Sequence, residues 1–412
     1  MTILFVQKLP PSRNEGVSEI RRQIPKSSAT FRFFVGSPRI FLNIVAAILF
    51  SSASFSSLSQ TNQSQPIPRE FFGLHIHRAD QGTVWPNIPF GSWRLWDASV
   101  TWAQLESAEG KWDFSQLDRY VGMAKQHDVE ILLTLANTPQ WAAARPNEPS
   151  GYQPGNASEP GNIEDWRNYV KAVGERYKGH IRSYEIWNEP NAIQHYTGSI
   201  GKLIDLTCEA SKILKSIDPL NQIVSPAMSA GVNGHLDYLD RFLSSGGKDC
   251  IDIVAYHFYV PKSDPEAMVP LIRQVRSIMK KNSISQKPLW NTETGWRFPE
   301  SDGSTPQDNK IVGGWKKIQL DDTSNFALRA FMLTRAEGVD RFFWYSWDNR
   351  SELGMINAKS GKPKPIVEQW RKAYNRLLGV SQMQCSQNGR NWNCSFIRDG
   401  GAVDRVSWTV EP

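Results

Sequence analysis

Residues 186–191 read Ile-Trp-Asn-Glu-Pro-Asn, closing a strand-like segment over 181–187 and setting the Glu189 carboxyl against a proline at the start of a turn. A second carboxyl, Glu293, lies in Asn291-Thr292-Glu293-Thr294-Gly295-Trp296 and is the only acid between Glu266 and Glu300. Each sits at the end of a strand-like run, with an amide and indoles close by. A carboxyl in such company supplies a proton donor, a hydrogen-bond partner for a sugar hydroxyl and an apolar wall. Glycosidic bond cleavage takes two carboxyls flanking the scissile bond. Glu189 alone would be half of that chemistry, or merely a turn with a solvated acid.

Two such groups act together only if the fold brings their strand ends to one place. From residue 70 onward, short apolar runs alternate with longer amphipathic stretches, the pattern of repeated βα units. Strands are predicted at 71–76, 92–95, 130–135, 181–187, 222–226, 251–257, 288–292 and 339–344, with helical patterns such as 114–127, 166–177, 204–217 and 265–282 between them. Eight strands over about 300 residues match an α/β fold of the (β/α)8 barrel type, in which functional residues gather at the C-terminal strand ends. A doubly wound open sheet is the competing architecture, but it usually has fewer units and a glycine-rich first turn. Three short strands near 381–387, 391–398 and 403–410 predict a small β appendage. The domain reading is thus a targeting segment at 1–60, a linker at 61–69, a catalytic barrel at 70–375 and the appendage at 376–412.

Trp187-Asn188-Glu189-Pro190-Asn191 and Asn291-Thr292-Glu293, three βα units apart, resemble the clan A retaining glycoside hydrolases, which carry an acid/base Glu after strand four and a nucleophile Glu after strand seven. Family 39 and its exopolysaccharide-cleaving relatives are the most similar, with family 5 next, and the resemblance covers roughly residues 70–375. It implies that Glu189 is general acid and then base and that Glu293 forms a covalent glycosyl-enzyme, with their carboxyls about 5–5.5 Å apart. It further implies a protonated Glu189 and an ionised Glu293 near neutrality. Arg94 would hold Glu293 ionised, or else form an ordinary buried ion pair with Glu185 or Asp97. Asn188 would meet the sugar 2-hydroxyl. His257 and Tyr259 would stand beside the nucleophile, with the Tyr259 hydroxyl orienting it. Trp344 fits the clan's sugar platform after strand eight, Trp347 less well, and Trp96, Trp141 and Trp296 also fall where they would face sugar.

The formal charge of +6 does not point to nucleic acid. Residues 1–60 carry seven basic and two acidic side chains, which leaves about +1 for the rest of the chain and no basic face. A basic stretch to Arg39, an apolar run at 40–50 and the small residues 51–54 have the layout of a secretory signal, a retained membrane anchor being the alternative. Cys385 and Cys394 flank the hairpin dipeptide Asn388-Gly389 and are expected to pair, leaving Cys208 with Cys250. No zinc-ligand spacing, phosphate loop or nucleotide fingerprint is present, so neither metal nor cofactor is expected.

The expected partner is a carbohydrate, with membrane contact only through the N-terminal segment; oligomeric state is open. Endo action on a β-linked polysaccharide is favoured because aromatics fall on several different loops. An exo-acting β-glycosidase such as a β-xylosidase, and a non-catalytic carbohydrate-binding barrel, are the alternatives. The long loops at 138–163 and 297–317 would wall the groove or cover it.

Overall fold

The structure is a computed structural model and describes residues 65–300, 312, 314–318, 325–357, 359–398 and 401–410. The expected targeting segment at 1–60 and the linker up to residue 64 lie outside the described residues, as does part of the loop at 297–317.

Eight parallel strands form the centre: β1 (Phe72–His75), β2 (Ser92–Leu95), β3 (Glu130–Leu135), β4 (Ser183–Ile186), β5 in two pieces (Gln222–Val224 and Met228–Ser229), β6 (Val254–His257), β7 (Leu289–Thr294) and β8 (Val339–Trp344). The hydrogen-bonded order runs from the first piece of β5 through β4, β3, β2, β1, β8, β7 and β6 to its second piece. Both ends of that order belong to β5, so the sheet closes on itself as a (β/α)8 barrel. Seven helices of ten or more residues surround it among the described residues: α1 (Ser115–Gln126), α2 (Ile163–Arg176), α3 (Ile200–Ile217), α4 (His235–Ser244), α5 (Met268–Lys281), α6 (Phe326–Ala336) and α7 (Pro365–Leu377). No helix joins β1 to β2.

The helices form for local reasons that the packing then exploits. In α2 the Asn162 side chain accepts from the Glu164 N–H, and Glu164 and Asp165 lie in the first turn, where the helix dipole favours anions. Trp166, Tyr169, Val170 and Val173 make its buried stripe. Ser199 caps α3 in the same way through the Lys202 N–H. Helix α6 has no such stripe: nine of its eleven residues are buried. The reason is the C-terminal sheet, β9 (Val380–Asn388), β10 (Asn391–Arg398) and β11 (Val403–Thr409), which covers its outer side. The Trp408 indole N–H donates to Glu266, and Arg376 pairs with Asp404 at 2.8 Å. The appendage therefore shares a core with the barrel.

The barrel interior is filled by Leu132, Val224, Ala227, Ile253, Ala255, Trp290 and Phe343. Gly73 makes room for one of them, since a Cβ there would meet the Phe343 ring at 2.5 Å. Both expected disulfides are formed, Cys208–Cys250 between α3 and the segment before β6, and Cys385–Cys394 across the β9–β10 hairpin. Among the described residues no helix is long and apolar enough to cross a membrane.

Candidate active site

The end of β4 does not continue as a strand. Trp187 and Glu189 both adopt left-handed backbone, with φ of 72° and 44°, a conformation that costs energy for any residue with a Cβ. Hydrogen bonds from Trp187 N to Leu135 O and from Glu189 N to Ala227 O, both 2.9 Å, hold the turn between β3 and β5. The Asn191 amide clamps it further, donating to Ser229 O and accepting from Ser229 N. The strained turn aims the Glu189 carboxyl into the barrel mouth. Glu293 reaches the same mouth from β7, whose end lies so close to the chain after β8 that a Cβ on Gly295 would sit 2.0 Å from the Tyr345 carbonyl oxygen. Only glycine fits there.

Carboxylate oxygens of Glu189 and Glu293 and a ring nitrogen of His257 lie within 4.8 Å of one another. That spacing matches the short separation of retaining glycosidases and is too small for a water held between two carboxyls in line with an inverting attack. The three groups are close enough to hold a cation. Both Glu293 oxygens, however, already accept hydrogen bonds, from Arg94 Nη1 at 2.7 Å and from the Tyr259 hydroxyl at 2.8 Å.

Arg94 is fully buried and joins three groups. Besides Glu293 it donates to Glu185 through Nε and Nη2, at 2.8 and 2.5 Å, and to Asn188 Oδ1 at 2.8 Å. Arg94 thus pairs with both Glu293 and Glu185. Thr134 adds a hydrogen bond to Glu185. Asn188, its oxygen engaged by Arg94, keeps its amide hydrogens for another partner. Burial and the Glu293 charge push the Tyr259 hydroxyl well above its usual range, so it stays a donor.

His257 stands beside Glu293 as expected, within 4.8 Å, but its hydrogen bond goes to Glu189: Nδ1 lies 2.8 Å from Glu189 Oε1, and of the His257–Tyr259 pair only Tyr259 bonds the Glu293 carboxyl. The electrostatics differ too. Burial pushes the Glu189 carboxyl up, but the His257 hydrogen bond and the charges of His257 and His195 outweigh it and hold the group down to about 2. Burial raises Glu293, the Glu189 charge adds to that, and His257 and Arg94 oppose it. In the free site Glu189 is shifted down and Glu293 up, opposite in direction to what an acid Glu189 and a nucleophile Glu293 need.

Most of the expected aromatic platforms are core residues. Trp344 is fully buried among Phe331, Phe342, Trp370, Trp296 and Phe298 and offers no face to a ligand. Strand alternation is the cause: Phe343 fills the barrel, so Phe342 and Trp344 point out to the helices. Trp296 packs on Phe326 and Trp344, and the Trp347 indole donates to Val84 O; both are buried. Trp141 is half-buried, edge-on to Trp102, with its N–H on Glu106 O. Trp344→Ala is therefore expected to cost about 3–5 kcal/mol of stability, the range for emptying a large buried aromatic site. Thermal melts would register this, whereas a small loss of stability with a large rise in KM would restore the platform reading.

The ring that does face the mouth after β8 is Tyr345, one residue later. It lies 5.1 Å from both His75 and His77, and its hydroxyl donates to Asp97 Oδ2 at 2.8 Å. Tyr152, from the loop after β3, donates to Asp97 Oδ1 at 2.7 Å. His195, with Nε2 3.7 Å from Glu189, and Trp315, edge-on to Tyr259 at 5.4 Å, also stand at the site. Tyr345 was findable by carrying the strand alternation one residue beyond Trp344. The others come from loops, where no periodicity marks them.

The model of the glycosyl hydrolases family 39 matches residues 92–312. Among solved structures, a family 39 glycoside hydrolase from the gut symbiont Bacteroides cellulosilyticus WH2 aligns with a TM-score of 0.64 at 18% identity, over 85% of this chain and 72% of that one. A monomeric beta-xylosidase from Caulobacter crescentus CB15 gives 0.58 at 18%, over 81% and 74%, and a glucosidase from Croceicoccus marinus gives 0.56 at 15%, over 81% and 77%. No curated protein matches the chain in sequence. With the family model spanning more than half of the chain and two facing carboxyls at the mouth of a (β/α)8 barrel, this protein belongs to glycosyl hydrolase family 39.

Proposed function

We propose that the protein hydrolyses β-glycosidic bonds by double displacement, with Glu293 as nucleophile and Glu189 as acid and then base. The observation that carries this is the approach of the two carboxyls to within 4.8 Å, with Arg94 and Tyr259 donating to Glu293. In the first step a Glu293 oxygen bonds to the anomeric carbon as the glycosidic bond breaks and Glu189 gives its proton to the departing oxygen. In the second, Glu189 takes a proton from water, whose oxygen displaces Glu293.

Glu189 is in 2.8 Å contact with His257. That hydrogen bond holds the Glu189 carboxyl low in the free site. For the first step Glu189 must carry the proton that it gives to the departing oxygen, and for the second it must be the anion that takes one from water.

Acid catalysis puts the leaving group on the Glu189 side. Strand β8 lies across the barrel from β4, so the glycone extends toward the loops after β8, β1 and β2. The hydrogen-bonded chain Tyr345–Asp97–Tyr152 lines that side. A glycone side narrowed in this way favours attack near a chain end over attack in its interior. The endo reading drew on tryptophans spread over several loops, and four of the five are buried. The substrates suggested by the similar structures are β-xylosides and β-glucosides.

Hydrolysis of aryl β-xylosides and β-glucosides followed by proton NMR tests the proposal. The first-formed hemiacetal is expected to be the β-anomer. An α-anomer as first product would mean an inverting enzyme, and no turnover on any aryl β-glycoside would remove the catalytic reading.

A further inference from the structure

A cavity of about 150 Å³ lies beyond Asp97 on the β2–β3 side of the mouth. Trp96 and Tyr152 wall it, 5.7 Å apart and edge to face, and Asp97, Ser99, Gln104 and Asn137 supply its polar lining. None of the catalytic groups lines it. Asn137 is 2% exposed and Trp96 3%, and both line the cavity, so the amide of one and the ring of the other are available to what fills it.

The backbone is shaped to keep those groups there. Asp97, Ser99 and Asn137 have φ of 55°, 58° and 63°, so three of the eight non-glycine residues with left-handed backbone, counted among the described residues, line this one cavity. Strain of this kind persists where the surrounding structure fixes a ligand geometry. Asp97 links the cavity to the reaction centre: one carboxylate oxygen accepts from Tyr152 in the cavity wall and the other from Tyr345, whose ring lies edge-on to His75 and tilted to His77.

The lining defines the ligand. It offers two aromatic walls, hydroxyl and amide groups, one carboxylate and no basic side chain, so it suits a neutral polyhydroxylated ring and does not suit a uronate. The volume equals about five waters at the bulk value of roughly 30 Å³ each, enough for one sugar ring and well below the roughly 300–1,000 Å³ of sites for larger ligands. We propose that this cavity binds one further neutral sugar unit of the glycone, attached to the sugar held at Glu293, so that the unit released from a chain end is a disaccharide. The proposal rests on the retaining-glycosidase reading above and adds a second sugar contact to it.

The test compares matched aryl β-monoglycosides and aryl β-diglycosides, glucoside with cellobioside and xyloside with xylobioside. The wild-type protein is expected to have a kcat/KM at least ten-fold higher on one diglycoside than on its monoglycoside. Asn137→Leu, which removes the amide, and Ser99→Trp, which fills the cavity from an exposed position, are expected to bring that ratio close to one. Calorimetric binding to Glu293→Gln protein supplies a readout without turnover, in which the disaccharide should bind at least ten-fold more tightly than the monosaccharide. Hydrolysis with no preference in the wild type, or a ratio unmoved by both substitutions, overturns the pocket and leaves the retaining mechanism standing. No hydrolysis of either class together with no disaccharide binding overturns both.

Discussion

Glu293→Gln lowers hydrolysis of an aryl β-glycoside by ~10⁴-fold or more, the scale of loss when a reacting group is removed from a catalytic unit. The amide has nearly the volume of the carboxyl, and Arg94 keeps its contact with Glu185 at 2.5 Å, so the barrel should remain folded. Loss of rate at nearly unchanged melting temperature would therefore identify the missing nucleophile and not a collapsed site. Glu293→Ala extends the test, because it leaves a space beside the anomeric carbon. Added azide can enter there and displace the aglycone directly, giving a glycosyl azide of inverted configuration. An unchanged rate in Glu293→Gln would remove Glu293 from the mechanism.

Glu189→Ala is expected to slow hydrolysis by ~10²–10⁴-fold for substrates whose leaving group needs a proton, the usual range for general acid–base catalysis. Substrates with an activated leaving group, such as dinitrophenyl glycosides, should form the glycosyl-enzyme almost normally and then stall, because no base activates the water. Azide should relieve that stall and give a product of retained configuration, opposite to its effect in Glu293→Ala. The pH profile carries a second signature. In the wild type, the fall of rate at high pH reports loss of the Glu189 proton, and that limb should vanish in Glu189→Ala. The Glu189 charge is one of the influences that raise Glu293. Removing it lowers the Glu293 pKa, so the rise of rate on the acid side should move to lower pH. A limb that stays in place would mean that the two carboxyls are not coupled as their separation requires.

The positions of Glu189 and Glu293 were legible in sequence because strand ends are. All eight predicted strands are present, with β6 starting three residues later than its apolar run suggested and β5 broken at Ser225-Pro226. Helices with one apolar face were readable for the same reason. Helix α6 was not, because the C-terminal sheet buries its outer side and erases the period. The Cys385–Cys394 pairing followed from the hairpin turn between them.

The tryptophans show the limit of that reading. A strand end says that Trp344 lies near the mouth, but only the alternation fixed by Phe343 inside the barrel says that it faces the helices. The same count would have named Tyr345. His195, Tyr152 and Trp315 come from loops, and no local pattern records where a loop folds back. Asp97 was legible only as a possible partner of Arg94, whereas it binds Tyr152 and Tyr345 instead.

By itself the sequence determined the chemistry available to this protein: two strand-end carboxyls, an arginine two strands in, and a barrel to bring them together. Those are properties of local period and residue type. Tertiary structure decided which groups meet at the mouth and what lines the substrate side. Both depend on distances between groups far apart in the chain. His257 comes 2.8 Å from Glu189, and Asp97 joins Tyr345 at the catalytic centre to Tyr152 in the wall of the cavity beside it.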